Sequence, residues 1–410
     1  QYDPDDPTSL SADRVLAIYE DHLGTLWIGT ILGGLNRFDR ETGTFVRYEN
    51  DPQDPHDLSY HIVASIYEDR SGVLWIGTAS GLDRFEPETG TFSHYQADPD
   101  ASPGSLSNNV RAITESSEGQ FWIGTKGGLY QFDREEKIWS HHYTHDTGDP
   151  QSLSEDWIFT MLEDQDGRIW LGTVGGGLNR FDPEKETFTH YQNDPGDPHS
   201  LCDNFVMSIF QDQKGALWIG TPGGLDRFDP QTETFTHYRE EDGLPNSTVY
   251  CMLEDTQGHL WISTNNGLSR FDPQNEEYKN YDISDGLQSN EFNGSACHVN
   301  DNGEMYFGGV DGFNVFFPDQ IEENSIIPPI VVSSLVHSGE QVYLDNMGED
   351  RMEVTLNWPE NAFEFEYAAL SYAQPTENQY AYYLEGFEET WNKVGSRRYG
   401  QYTNLPGGTY

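Results

Sequence analysis

The sequence predicts an all-β protein, a seven-bladed β-propeller followed by an immunoglobulin/fibronectin-like β-sandwich. Three observations carry this expectation. First, one short strand recurs as GTLWIGT, GVLWIGT, GQFWIGT, GRIWLGT, GALWIGT and GHLWIST, so that Trp27, Trp75, Trp122, Trp170, Trp218 and Trp261 follow one another at spacings of 48, 47, 48, 48 and 43 residues. A degenerate seventh copy, GEMYFGG, puts Tyr306 in the Trp position 45 residues after Trp261. Second, each period divides into four short strands separated by Gly and Asp turns. Third, the position ten residues before each Trp is uniformly small: Ala17, Ser65, Ala112, Thr160, Ser208 and Cys251.

In the first repeat, Val15 to Glu20 is an apolar run, Asp21 to Gly24 a turn, and Thr25 to Thr30 the Trp strand. Leu35 to Asp39 and Thr44 to Tyr48 complete an antiparallel meander. A sheet this small cannot cover both faces by itself, whereas radial stacking covers every face and leaves only short edges. Twelve residues before each Trp stand Val15, Val63, Val110, Ile158, Val206 and Val249. The small residues two places further on belong where the innermost strands crowd about a central axis, so this strand is expected to line the channel.

The links between repeats are rich in Asp and Pro, as in Asn50 to His56 and Asn193 to His199, and switch style at Asp242 to Asn246 and Asp285 to Asn290. They suit turned connections and lack calcium-loop spacing with its closing Glu. The last blade has no Phe-x-x-Tyr outer strand, and Gln1 to Pro4 matches the end of one. A segment before Gln1 is therefore expected to close the ring. The expected domains are 1–320 for the propeller and 321–410 for the sandwich, with strands at Glu353 to Asn357, Phe363 to Tyr367 and Tyr380 to Leu384.

The 410 residues carry 22 basic and 70 acidic side chains, a formal net charge of −48. Such a field opposes nucleic acid and anionic lipid as partners. Because the acids are spread along the whole chain, a solvated surface suited to salty surroundings is favoured over cation-binding loops. Cys202, Cys251 and Cys297 form an odd set at no metal-like spacing, so they are expected to be small buried hydrophobes, with neither a disulfide framework nor a metal site. No cofactor motif is present. No stretch reaches the roughly 18 apolar residues of a membrane span.

Together, the inner strand, Glu-Asp-x-x-Gly-x-Leu-Trp-Ile-Gly-Thr, Gly-Gly-Leu-x-Arg-Phe-Asp-Pro and Phe-x-x-Tyr resemble the two-component regulator propeller repeat over roughly residues 1 to 320. Pro328 to Val332, Phe363 to Tyr372, Tyr380 to Phe387, Trp391 and Tyr402 to Tyr410 resemble the three-Tyr domain that follows such propellers. The resemblance implies the extracytoplasmic sensor region, periplasmic or extracellular, of a membrane-spanning two-component protein. It further implies attachment through segments outside this chain, a histidine kinase output elsewhere, a sensor dimer, and a carbohydrate or other ligand. On that footing the chain itself is no enzyme. A secreted propeller enzyme acting on polysaccharide and a protein-interaction scaffold are the alternatives.

His94, His142, His190 and His237 precede Tyr on successive outer strands, where rim positions too far apart to share a metal point to surface packing. The pairs Glu20-Asp21, Glu68-Asp69 and Glu163-Asp164 repeat, whereas a glycosidase pair is unique to its site. Function is expected where the repeat breaks its own rule on a face that converges. Thirteen residues before each Trp, or before Tyr306, stand Arg14, Ile62, Asn109, Trp157, Phe205, Thr248 and Asn293, a column that varies freely. Arg111 and Tyr250 break the mostly apolar column eleven before, and Lys126 opens the turn after its Trp strand. Arg14, Asn109, Arg111, Lys126, Trp157, Phe205, Tyr250 and Asn293 are thus the candidate ligand-binding set, with aromatic rings to stack on a sugar and polar groups to orient it. The competing expectation is a plugged channel in which the cations pair with Asp156 or Asp203.

Overall fold

The computed structural model describes residues 1–102, 104–321, 328–337, 340–342, 355–356, 361–370 and 378–410. Two compact units emerge, Gln1–Ile321 and Glu322–Tyr410. The first consists of six four-stranded antiparallel sheets and a seventh of three strands, each following chain order. They are numbered here as blades 1 to 7, with innermost strands at Val15–Glu20, Val63–Glu68, Val110–Glu115, Ile158–Glu163, Ser208–Gln211, Val249–Glu254 and Phe292–Val299.

The Trp strand is the second of each blade and is buried along its whole length. Its sequence is explained by the next blade. A Cβ on Gly29 would lie 2.5 Å from Val63 Cγ1, on Gly77 2.7 Å from Val110 Cγ1, and on Gly172 2.5 Å from Val206 Cγ1. The Trp-Ile-Gly glycine is therefore a notch that receives the first apolar side chain of the neighbouring inner strand. Gly308 of blade 7 receives Val15 of blade 1 in the same way, at 2.6 Å, so the notch closes the ring. The core accordingly lies between blades: Trp27 packs with Leu58, Val63, Leu74, Ile76, Phe85 and Phe92 of blade 2 and the link leading to it.

The repeated Glu-Asp pair has two structural tasks. Asp Oδ2 accepts the indole N–H six residues on, at 2.8 Å for Asp21–Trp27, 2.8 Å for Asp164–Trp170 and 2.9 Å for Asp212–Trp218. Asp164 Oδ1 also accepts the Asp166 and Arg168 N–H groups, fixing a turn in which Gly167 adopts φ +77°. The Glu reaches back to the preceding blade: Glu68 accepts His22 N–H at 2.8 Å, Glu115 accepts Arg70 N–H at 3.0 Å, and Glu163 accepts Ser117 N–H at 2.7 Å. Glu20 completes the circle by accepting Asn300 Nδ2 of blade 7 at 3.1 Å.

Two expectations are corrected by the fold. Cys251 and Cys297 form a disulfide across 46 residues, one repeat period, joining the innermost strands of blades 6 and 7. Cys251 stands ten residues before Trp261 and Cys297 nine before Tyr306, on inner strands that the ring sets side by side, a proximity that linear spacing conceals. Two of the four rim histidines, His94 and His237, are polar locks rather than mere surface packing, whereas the exposed His142 stacks on Tyr130 as expected. His94 Nδ1 meets Asp83 at 2.8 Å while Nε2 meets the Pro55 carbonyl at 3.0 Å, and His237 repeats this with Asp226 and Pro198. Each ring thus ties an Asp-Pro link to the third strand of its blade.

The second unit holds a four-stranded sheet, with Ile330–His337 between Glu340–Val342 and Phe363–Ala369 and then Tyr399–Tyr402, together with the hairpin Tyr380–Tyr382 and Asn392–Gly395. Aromatic rings join these two sheets, Phe365 to Tyr382 at 5.2 Å and Tyr367 to Tyr380 at 5.3 Å, which makes the tyrosines the core of a small sandwich. The strand expected at Glu353 to Asn357 falls largely outside the described residues.

Candidate functional site

One face of the ring is defined by the residue after each Trp strand bonding back to the start of the inner strand. Ile31, Ala79, Lys126 and Val174 donate their N–H groups to the carbonyls of Arg14, Ile62, Asn109 and Trp157. The variable column therefore sits around one mouth of the channel. Within it, the first residues of blades 3 to 6 form a cluster.

Lys126 places its ammonium 4.4 Å from the centre of the Trp157 ring, and Arg111 places its guanidinium carbon 4.9 Å from the centre of Phe159. Trp157 immediately precedes the inner strand of blade 4 and Phe159 sits at the bulge between Ile158 and Thr160, so two rings from blade 4 meet two cations from blade 3. Phe205 of blade 5 touches Phe159 edge-on at 5.2 Å. A Cβ on Gly294 of blade 7 would lie 3.0 Å from the Phe159 ring and 3.9 Å from that of Tyr250, so Phe159 reaches across the axis and stops the channel below the mouth. Tyr250 turns its hydroxyl to Asn265 Oδ1 at 3.3 Å.

Burial holds the Arg111 guanidinium and the Lys126 ammonium below their usual pKa values, and for Lys126 the nearby Arg111 adds to the effect. Burial raises the Tyr250 phenol, with Glu291 contributing. The acids expected to neutralise the cations serve elsewhere. Asp156 accepts His145 N–H at 2.6 Å, and Asp203 accepts Phe205 N–H at 2.7 Å.

Of the eight candidates, Arg111, Phe205 and Tyr250 gather around Phe159, and Lys126 pairs with Trp157 beside Arg111. Asn109 and Arg14 stand on the same face, Asn109 at the start of the Arg111 strand and Arg14 exposed on blade 1. Asn293 does not join them. The inner strand of blade 7 carries a bulge between Phe292 and Cys297, which shifts the register. Asn293 is buried there and donates Nδ2 to the Val15 and Gly309 carbonyls, both at 2.8 Å, stitching blade 7 to blade 1. Phe159 was missed because a Phe in a mostly apolar column carries no signal; only its reach across the axis distinguishes it.

One further cluster has metal-ligand chemistry: Cys202, Asp226 and His237 offer atoms within 4.8 Å of one another. Cys202 Sγ lies 3.1 Å from His237 Nδ1 and receives Arg239 Nη2 at 3.4 Å, and burial pushes the thiol pKa up to about 12. Blade 2 builds the same His-Asp-carbonyl arrangement with Ser59 in the Cys202 position. A guanidinium on the sulfur disfavours a cation, and the lock forms in blade 2 without a thiol. Cys202 is thus a member of a polar network rather than the small buried hydrophobe expected.

Residues 9–31, 57–80, 104–127, 152–175, 200–223 and 243–266 match the two-component regulator propeller family, one match for each of blades 1 to 6. Over 129 residues the chain is 30% identical to histidine kinase P4 of Formosa agariphila, covering 30% of this chain and 9% of that protein. The solved extracellular domain of a protein named as a hybrid two-component system from B. thetaiotaomicron superposes with a TM-score of 0.78 at 26% identity, over 98% of this chain and 53% of that one. Virginiamycin B lyase from Staphylococcus aureus gives 0.56 at 16% identity, over 74% of this chain and 94% of its own, which shows a shared fold alone. The chain spans about half the length of the extracellular domain it matches. Among the described residues no helix is long and apolar enough to cross a membrane. The notched Trp strands, the ring they close and these matches together identify six two-component regulator propeller repeats in a chain that is similar over nearly its whole length to the extracellular domain of a two-component system.

Proposed function

We propose that the chain is the ligand-sensing part of the extracytoplasmic region of a membrane-spanning two-component protein. In this reading a carbohydrate enters the channel mouth, and the three-Tyr unit passes the change to a histidine kinase beyond this chain. The observation that carries it is the Arg111, Lys126, Trp157, Phe159 and Phe205 cluster. Architecture repeats from blade to blade, whereas these side chains occur once and converge on one mouth. Trp157 remains 36% exposed, leaving aromatic surface for a sugar face. The Cys251–Cys297 disulfide supports placement outside the cytoplasm, since such bonds persist in oxidising compartments. Relay requires the ligand to bind two conformations with different affinity.

Melting temperatures measured against neutral and acidic oligosaccharides test the proposal, with Trp157→Ala, Phe205→Ala and Arg14→Ala alongside. A sugar-specific rise abolished by Trp157→Ala is the expected result. A rise that all three variants retain would move the ligand away from the mouth, and no rise with any member would favour sensing through a protein partner.

A further inference from the structure

The chain has 70 acidic side chains, yet among the described residues neither Arg111 nor Lys126 is paired with one. Several other propeller arginines find carboxylates: Arg134 meets Asp69 at 3.0 Å and Glu115 at 2.7 Å, Arg180 meets Glu233 at 3.2 Å, and Arg40 meets Glu20 and Glu304. Arg111 makes no ion pair or hydrogen bond among the described residues, and its Nε is shut off from solvent with no acceptor. Among the described residues Lys126 likewise meets no carboxylate and lies against the Trp157 ring. A buried guanidinium without a counter-charge is costly, and a ring face returns only part of that cost. Two like charges held side by side raise it further. Such an arrangement is relieved by an anion arriving from outside.

We infer that the channel mouth binds the oxyanion of an acidic carbohydrate, a sugar carboxylate or sulfate, held between Arg111 and Lys126 while the exposed part of Trp157 lies against the sugar. This inference rests on the carbohydrate reading of the mouth given above and adds the charge of the ligand. The guanidinium supplies a planar donor fork suited to two oxygens, and Lys126 supplies a point charge nearer the solvent. Asp156 and Asp203, already occupied by backbone N–H groups, leave the site its positive sign. The strongly negative surface beyond the mouth repels anions at long range, so selection has to come from contact, where a neutral sugar would leave Arg111 unrelieved.

The test is titration calorimetry of the whole chain with three probes: an oligogalacturonate, the same oligomer as its neutral methyl ester, and a sulfated heparin-derived tetrasaccharide. Inorganic sulfate is run as competitor. Binding of either acidic probe at least tenfold tighter than the ester, lost in Arg111→Met and weakened several-fold in Lys126→Ala, is the expected result. Equal affinity for acid and ester, unchanged in Arg111→Met, would overturn the anion assignment and leave the ligand reading standing. Binding of inorganic sulfate with neither acidic sugar would overturn the carbohydrate part, and no anion binding at all would overturn the inference outright. A second readout needs no ligand. If Arg111 is kept for a ligand, Arg111→Met should melt at the same temperature or higher; a marked drop would show that it merely props the channel plug, and the inference would fall.

Discussion

Ser116 shows at the level of one residue how the repeat is held. Five blades place Asp at this position to accept the Trp indole, whereas blade 3 has Ser116, and Trp122 Nε1 is buried without a partner. Ser116→Asp should raise stability by about 1 kcal/mol by supplying the missing acceptor. The reverse change, Asp164→Ala, strips an indole bond and two turn bonds and should cost about 2–3 kcal/mol. Urea denaturation of both variants measures each. A pH effect is expected from the rim locks. Hydrogen bonds to Asp83 and Asp226 raise the pKa of His94 and His237 above 6.5. Their stabilisation is complete below that value and is lost as pH rises through the raised folded-state pKa. His298 acts in the opposite sense: burial lowers its pKa to about 4, so its contribution is lost as pH falls from 6.5 toward that value. Melting curves of His94→Gln/His237→Gln against the parent should converge on the alkaline side and diverge near pH 6, isolating the locks from His298.

At the scale of the element, the Trp strand is determined by the blade beyond it. Gly172→Ala forces a methyl against Val206 Cγ1 and Thr160 Cγ2, and overpacking of this kind should cost about 1–3 kcal/mol, read as a lowered denaturation midpoint. Gly43→Ala, where a Cβ meets nothing within 4 Å although φ is +71°, controls for backbone strain alone. The Cys251–Cys297 bridge joins two inner strands, and its removal by Cys251→Ser should cost about 2–4 kcal/mol, with the loss localised by hydrogen exchange to blades 6 and 7. Blade and strand order were legible because Trp27 to Trp261 keep their spacing. The bulge in blade 7 was not, since counting back from Tyr306 assumes an uninterrupted ladder, and Asn293 was assigned to the mouth for that reason.

For the whole molecule, a net charge of −48 over 410 residues implies strong self-repulsion. The melting temperature should climb with added sodium chloride as this repulsion is screened, and a flat profile would contradict the idea that the acids burden the folded state. Closure rests on a hydrophobic cluster that joins Val15, Ile18 and Ile28 of blade 1 to Ala296 and Tyr306 of blade 7, and on polar contacts that include Asn293 on the Val15 and Gly309 carbonyls, Glu20 on Asn300 and Arg40 on Tyr306. Gln1 also lies beside the last blade, donating Nε2 to the Asp311 carbonyl at 3.3 Å.

The sequence by itself determined the number of blades, the order of their strands and which residues break the repeat, because each is a matter of period, and period survives without coordinates. Only the tertiary structure decided which breaks meet. Arg111 and Phe159 lie 48 residues apart, Phe159 and Gly294 belong to blades on opposite sides of the axis, and Cys251 finds Cys297 one period on. Those proximities depend on ring closure, which brings equivalent positions of every blade to one axis.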